Sequence, residues 1–280
     1  MKKIILMSLI ATIFASCNNS QQTSNQNQPQ EQGKDYSKIQ FLNSKEKQFD
    51  DFSLYWLKDN LDDKLFPTNL FSDASDSLIE ALNLKQGLKT TMSAFLIKSN
   101  GKYILFDSGN GENANGQLIN NLASLNLTPD SINYVFLTHF HGDHIGGMLN
   151  KEGEIVFKNA EIYSSKLEYE SAKTQNNAQA VEMINKYQNQ FKTFEFGDTL
   201  PENIIAIEAI GHTAGHTVYQ KSNLLIIGDL LHAIELQIPH PEVCANFDAD
   251  KSNSKNSRKK ILDYALENNL ITCGMHLIVE

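Results

Sequence analysis

The chain has 280 residues, 41% of them hydrophobic and 20% charged, and a formal net charge of −9. That length and balance suit a soluble globular fold of one large domain or two small ones. The acidic balance argues against nucleic acid or an anionic membrane face as a partner.

Taken in chain order, Lys2 and Lys3 precede an apolar run, Ile4 to Phe14, too short for a comfortable membrane span. It leads into Ala15-Ser16-Cys17. Small residues before a cysteine resemble a bacterial lipoprotein signal, in which residues 1–16 are cleaved and Cys17 is lipidated, although leucine is more usual where Phe14 stands. An ordinary secretory signal with a chance cysteine is the plainer alternative. On either reading the protein is exported. On the first it is lipid-anchored to a bacterial membrane and faces the periplasm or the exterior. Asn18 to Asp35 is crowded with Gln, Asn and Ser and has no large apolar residue. It cannot bury enough surface to offset its ordering entropy, so 17–35 reads as a disordered tether. One domain is expected over 36–280.

Within it, short apolar runs predict strands at Phe52–Leu57, Ala94–Ile97, Tyr103–Phe106, Ile132–Leu137, Glu161–Tyr163, Ile204–Ile210, Leu224–Ile227 and Leu270–Cys273. Helical spacing appears in Ser75–Leu84, Gln117–Leu125, Ala178–Tyr187 and Arg258–Asn268. The interspersion predicts an α/β fold of sheets covered by helices. Several strands run into a turn that carries Asp or His: Asp107, His139, His212, Asp229 and His276. Rigid strands that present polar residues at one edge are a common way to build a site.

The densest cluster is His139-Phe140-His141-Gly142-Asp143-His144. Imidazole and carboxylate are ligands for zinc and similar divalent ions. An extended chain would place His139, His141 and Asp143 on one face. Gly142 would permit a turn that swings His144 inward, and Gly146 and Gly147 would allow close backbone approach. A histidine-rich surface loop is the alternative, and it leaves the apolar strand leading in unexplained.

This motif, with Gly211-His212-Thr213-Ala214-Gly215-His216, Asp229 after a strand, His276, and Asp107 in Leu105-Phe106-Asp107-Ser108-Gly109, resembles the metallo-β-lactamase-fold hydrolases from about Ala94 onward. The resemblance implies an αββα sandwich with two divalent metal ions, zinc first among them, at one edge of its sheets. It implies that His139, His141 and His216 bind one metal, that Asp143, His144 and His276 bind the other, and that Asp229 bridges them. His212 is left as a turn residue or hydrogen-bond donor. Asp107 would steady the histidine turn, with Thr138, Thr217 and His232 as further supports. The segments Gly228–His232, Pro241–Val243 and Asn246–Asp250, with Arg258, resemble the methyl-parathion-hydrolase and lactonase-like branch.

A hydrolase of this kind uses a hydroxide held between two metals to cleave small esters, lactones or phosphotriesters, with Asp143 and Asp229 as its catalytic carboxylates. A glyoxalase II-like thioesterase is the alternative. The partner is then a small-molecule substrate, and the resemblance extends to a homodimer. Members of the branch usually continue beyond the last histidine motif. Missing final strands would leave a sheet edge unpaired and His276 near a fraying end, and a catalytically impaired metal-binding lipoprotein is the reading that follows. Trp56, Phe66, Phe71, Met92 and Phe247 are expected either in the core or on a pocket wall. Cys244 and Cys273 read as isolated buried thiols, although an exported compartment would permit a disulfide.

Overall fold

In the computed structural model, which describes residues 34–62, 64–175 and 177–279, the strand Ser93–Ser99 shows how the layers arise. Along Ser93–Ser99, Phe95 and Ile97 pack into one apolar cluster while Ala94 and Leu96 pack into another. The same alternation separates Ile104 and Phe106 from Leu105, and Leu224 and Ile226 from Leu225. Successive side chains of a strand point to opposite faces, so a strand apolar on both faces must be covered on both.

The first cluster lies between two sheets. One has seven strands in the order Phe191–Phe194, Glu161–Ser165, Tyr134–Phe136, Lys102–Phe106, Ser93–Ser99, Phe52–Lys58 and Glu46–Gln48. The other has six, in the order Gln40–Phe41, Ile271–Cys273, Leu224–Ile226, Thr217–Lys221, Ile204–Glu208 and Thr199–Leu200. On the outer face of the first sheet, Leu118 and Leu122 of helix Leu118–Ser124 and Met183 and Ile184 of helix Ala178–Lys186 pack on Leu105, Val135 and Ile162. On the outer face of the second, Ile261, Leu262 and Ala265 of helix Lys251–Glu267 pack on Val218 and Leu225. The layers are therefore α, β, β, α, the sandwich the sequence implies. Burying each large apolar side chain contributes about 1.5–3 kcal/mol.

Some elements depart from expectation. Helix Lys251–Glu267 begins a full turn and more before Arg258. Its first half, Lys-Ser-Asn-Ser-Lys-Asn-Ser, has no apolar period. It is helical because Asp250 caps Asn253 N–H and because Ser254 and Ser257 face inward. Helix Lys166–Thr174 and strands Phe191–Phe194 and Thr217–Lys221 were not foreseen. Their polar residues mask the hydrophobic period, and the packing of neighbours decides them. The strand that leads to His276 is not a sheet edge, since Gln40–Phe41 pairs parallel with Ile271–Cys273. His276 is buried and Val279 belongs to the core between the sheets, so the expected fraying is not seen. Cys244 and Cys273 are both free and buried. The expected signal segment 1–16, the expected lipidation site Cys17 and all but the end of the expected tether lie outside the described residues.

Candidate metal centre

Strands Lys102–Phe106 and Tyr134–Phe136 are parallel, so they end at the same edge of their sheet. Leu224–Ile226 and Ile271–Cys273 are likewise parallel, and Ile204–Glu208 runs in their direction because it is antiparallel to their antiparallel neighbour. The residues just past these carboxyl ends meet. Ligand sites in open α/β sheets favour that edge, where backbone leaves the sheet and side chains are free to converge.

Three imidazole nitrogens form the first group. His139 Nε2 lies 3.0 Å from His141 Nδ1, and His212 Nε2 lies 3.2 Å from the first and 3.0 Å from the second. Asp229 Oδ2 is 3.3 Å from His212 Nε2. Asp143, His144 and His276 form the second group, with Asp143 oxygens 3.8 Å from His144 Nε2 and 3.6 Å from His276 Nε2. Asp229 stands between the groups: Oδ1 is 3.1 Å from His144 Nε2, and Oδ2 is 3.1 Å from His276 Nε2.

This geometry corrects the sequence reading in two places. His212, not His216, joins His139 and His141. His216 is turned away and fully engaged, its Nδ1 donating to Ala209 O at 3.1 Å and its Nε2 accepting the Asp229 N–H at 3.0 Å. The close approach needs Gly228, which has φ +54°, and a Cβ there would lie 2.5 Å from His216 Nε2. Asp143 also does not share an extended face with His139 and His141. His141 is extended at the cap position, and helix Gly142–Ile145 begins after it, which carries Asp143 and His144 to the second group. Gly146 and Gly147 behave as expected: a Cβ on either would lie 2.2 Å from the backbone oxygen of Asn110 or Ser108.

Most of the inward nitrogens are aimed from behind. Asp107 accepts the Thr138 N–H and hydroxyl, both at 2.7 Å, and the His144 Nδ1–H at 2.7 Å. The Thr138 hydroxyl proton is thereby used, so His139 Nδ1–H donates to Thr138 Oγ1 at 3.0 Å. His276 Nδ1 donates to Thr91 O at 2.8 Å. His212 Nδ1 donates to Asp248 Oδ1 at 2.9 Å. Each such bond fixes the tautomer and leaves the other nitrogen as a lone pair facing the centre. The Thr217 hydroxyl bonds to Gly215 O, and its support of the histidine turn runs through the backbone, its N–H donating to Thr138 O at 2.9 Å. His232 is buried, with Nε2 3.3 Å from Asp229 Oδ2 and Nδ1 without a partner.

The donor set fits divalent cations. The three nitrogens of the first group face one another at hydrogen-bond distance, while His139 and His212 each use their other nitrogen as a donor elsewhere. Lone pairs so placed repel unless a proton or a cation lies among them. His144 Nε2 and Asp229 Oδ1 are buried without a hydrogen-bond partner although only 3.1 Å apart. Burial, then the charge on His212, lowers His141 to about 4. Burial also works against charge on His212, but its hydrogen bonds to Asp229 and Asp248 prevail and hold it at about 9. A cation on Nε2 would replace that proton. For Asp229, burial opposes ionisation, yet His144 and His276 outweigh it and hold the carboxyl well below its usual range.

Asp248 and Arg258, which the sequence singles out only as part of a family-like segment, brace His212. Asp248 Oδ2 accepts from Arg258 Nη2 at 3.2 Å and from Ala245 N–H at 3.1 Å. Arg258 is fully buried and also donates to Leu230, Pro241 and Val243 carbonyls and to Ser254. Asp248→Asn is expected to weaken cation binding at the His212 group by about 10–100-fold with the fold intact. Arg258→Met strips a buried carboxylate of its charge partner and is expected to cost about 3–5 kcal/mol. Metal titration for the first and urea unfolding for the second would check these outcomes.

A cleft of about 380 Å³ opens onto the centre, with His141, Asp143, Asp229 and His276 at its base and Phe66, Met92 and Phe247 among its walls. Trp56 and Phe71 are core residues, and Met92 belongs both to the core between the sheets and to the cleft wall.

The four-layer α/β sandwich carries a histidine and aspartate cage at its strand ends, an arrangement able to hold divalent cations. The Metallo-beta-lactamase superfamily model matches residues 91–271, more than half of the chain, and the chain belongs to that superfamily. It is 30% identical over 158 residues to a probable metallo-hydrolase of Methanocaldococcus jannaschii, covering 55% of this chain and 63% of that one. It is 29% identical over 140 residues to the hydroxyacylglutathione hydrolase of Aeromonas hydrophila, covering 49% of this chain and 45% of that one. The chain thus spans less than two thirds of the length of these curated relatives. Among solved structures it is similar to AidC, a dizinc quorum-quenching lactonase with bound product, at 25% identity and TM-score 0.74 over 85% of this chain and 91% of that one. The hydrolase AbOPH of the beta lactamase superfamily gives 25% identity and TM-score 0.73 over the same shares.

Proposed function

We propose that the protein hydrolyses small esters, lactones or phosphotriesters with two divalent cations, zinc being the first candidate. One observation carries this reading: the Asp229 carboxylate stands between two ligand groups at the base of an apolar-walled cleft. Two cations held there would supply Lewis acidity, lowering the pKa of water and polarising a substrate oxygen. The chain's own residues do the rest. His139, His141 and His212 would hold one cation, Asp143, His144 and His276 the other, and Asp229 stands within reach of both groups. Asp143 faces the cleft with its side chain 37% exposed. Burial resists its ionisation, but His144 and His276 hold its pKa below the ordinary value, so it stays ionised, able to bind a cation and orient water. Phe66, Met92 and Phe247 take the apolar part of the substrate and exclude water from it. The N-terminal pattern supports export and lipid anchoring through Cys17 as the setting, and resemblance supports a homodimer.

The likeness to a hydroxyacylglutathione hydrolase favours a thioesterase as the second reading. Metal content per chain followed by turnover of an aryl ester, a γ-lactone, a phosphotriester and a glutathione thioester separates the two. Oxygen-ester or phosphotriester turnover that is lost on chelation and restored by zinc is expected. Turnover of the thioester alone favours the second reading, and two bound metals with no turnover of any substrate would sink both.

A further inference from the structure

The turn carrying His139 and His141 follows a strand of one sheet, and the loop carrying His212 follows a strand of the other. One buried carboxylate joins them. Glu168, only 5% exposed, lies in the first turn of helix Lys166–Thr174. Ser165 caps that helix by accepting the Glu168 N–H at 3.1 Å. In such a Ser-x-x-Glu pattern the glutamate ordinarily reaches back to the cap residue's own N–H. Here it turns elsewhere. Oε1 accepts the Phe140 N–H, between the two histidines, at 3.0 Å. Oε2 accepts the Thr213 hydroxyl and the Gly215 N–H, both at 2.8 Å, just past His212. The fit is tight, since a Cβ at Gly215 would lie 2.2 Å from the Glu168 nitrogen. A carboxylate that accepts buried donors from two loops fixes the distance between them, because freeing any of those donors in a buried setting is costly.

We infer that Glu168 is a positioning residue that sets the approach of the His139–His141 turn to His212, and so shapes the first ligand group and not the group of Asp143, His144 and His276. The inference rests on reading those groups as cation sites. Its test uses the full chain, stripped with chelator, in wild type, Glu168→Gln and Thr213→Val. Amide hydrogen exchange is measured at Phe140 and Gly215, and zinc is then titrated in. His212→Ala identifies the binding step that belongs to the first group. In Glu168→Gln both amides should exchange faster and that step should weaken about 10–100-fold, while the other step stays within about twofold. Thr213→Val, which removes one donor, should shift the same readouts less. Unchanged exchange, or equal weakening of both steps, overturns the inference. If Glu168→Gln does not fold, Thr213→Val decides by the same two readouts. Absence of zinc binding in wild type would refute the cation-site reading, and exchange would still decide whether Glu168 holds the two loops.

Discussion

His212→Ala is expected to bind one cation fewer than wild type and to lose activity, whereas His216→Ala keeps both. The reason is geometric. His212 Nε2 converges with His139 and His141, and His216 uses both ring nitrogens within the protein, on Ala209 O and Asp229 N–H. Even residues that only orient a ligand cost about 10–100-fold in metal affinity when lost, so loss of a ligand itself should exceed that range. His216→Ala leaves a buried carbonyl and N–H without their partner, at about 1–3 kcal/mol of stability. Metal counting on both variants, with thermal unfolding, checks the contrast. Loss of a cation in His216→Ala and retention in His212→Ala would reverse the assignment.

Asp229→Asn should weaken both cation steps together, unlike a change in either histidine group. Its carboxylate lies 3.1 Å from both His144 Nε2 and His276 Nε2 and 3.3 Å from His212 Nε2. An amide of the same size keeps the packing, removes the negative charge and turns an NH₂ toward one set of nitrogens. Activity should fall by at least about 10²–10³-fold, the cost of losing one preorganised electrostatic partner. Stepwise metal titration reads the effect directly, and a variant in which only one step weakens would show that Asp229 serves a single cation.

Comparison of elements shows where sequence is informative. The sandwich was legible because strands such as Ser93–Ser99 are apolar on both faces and so require two cover layers. Asp107, His139, Asp229 and His276 were legible because each follows a strong apolar run, which ends a strand where a site can form. Helix Lys166–Thr174 was not, since Leu167 is 44% exposed and its buried contacts are few. No local feature therefore distinguishes Glu168 from a surface charge.

The sequence by itself determined the kinds of ligand, their crowding into His139–His144, and the strand ends that carry the rest, because hydrophobic period and residue chemistry are local properties. Only the tertiary structure decided between His212 and His216. Gly211 to His216 holds both within one short loop, and no local signal separates them. The choice depends on which nitrogen finds Asp248 behind it and which finds Ala209 O and the Asp229 N–H. Ala209 sits in the same loop, but Asp248 lies 36 residues from His212 and Asp229 lies 13 from His216, both on other loops, so the choice is made only after the sheets have packed.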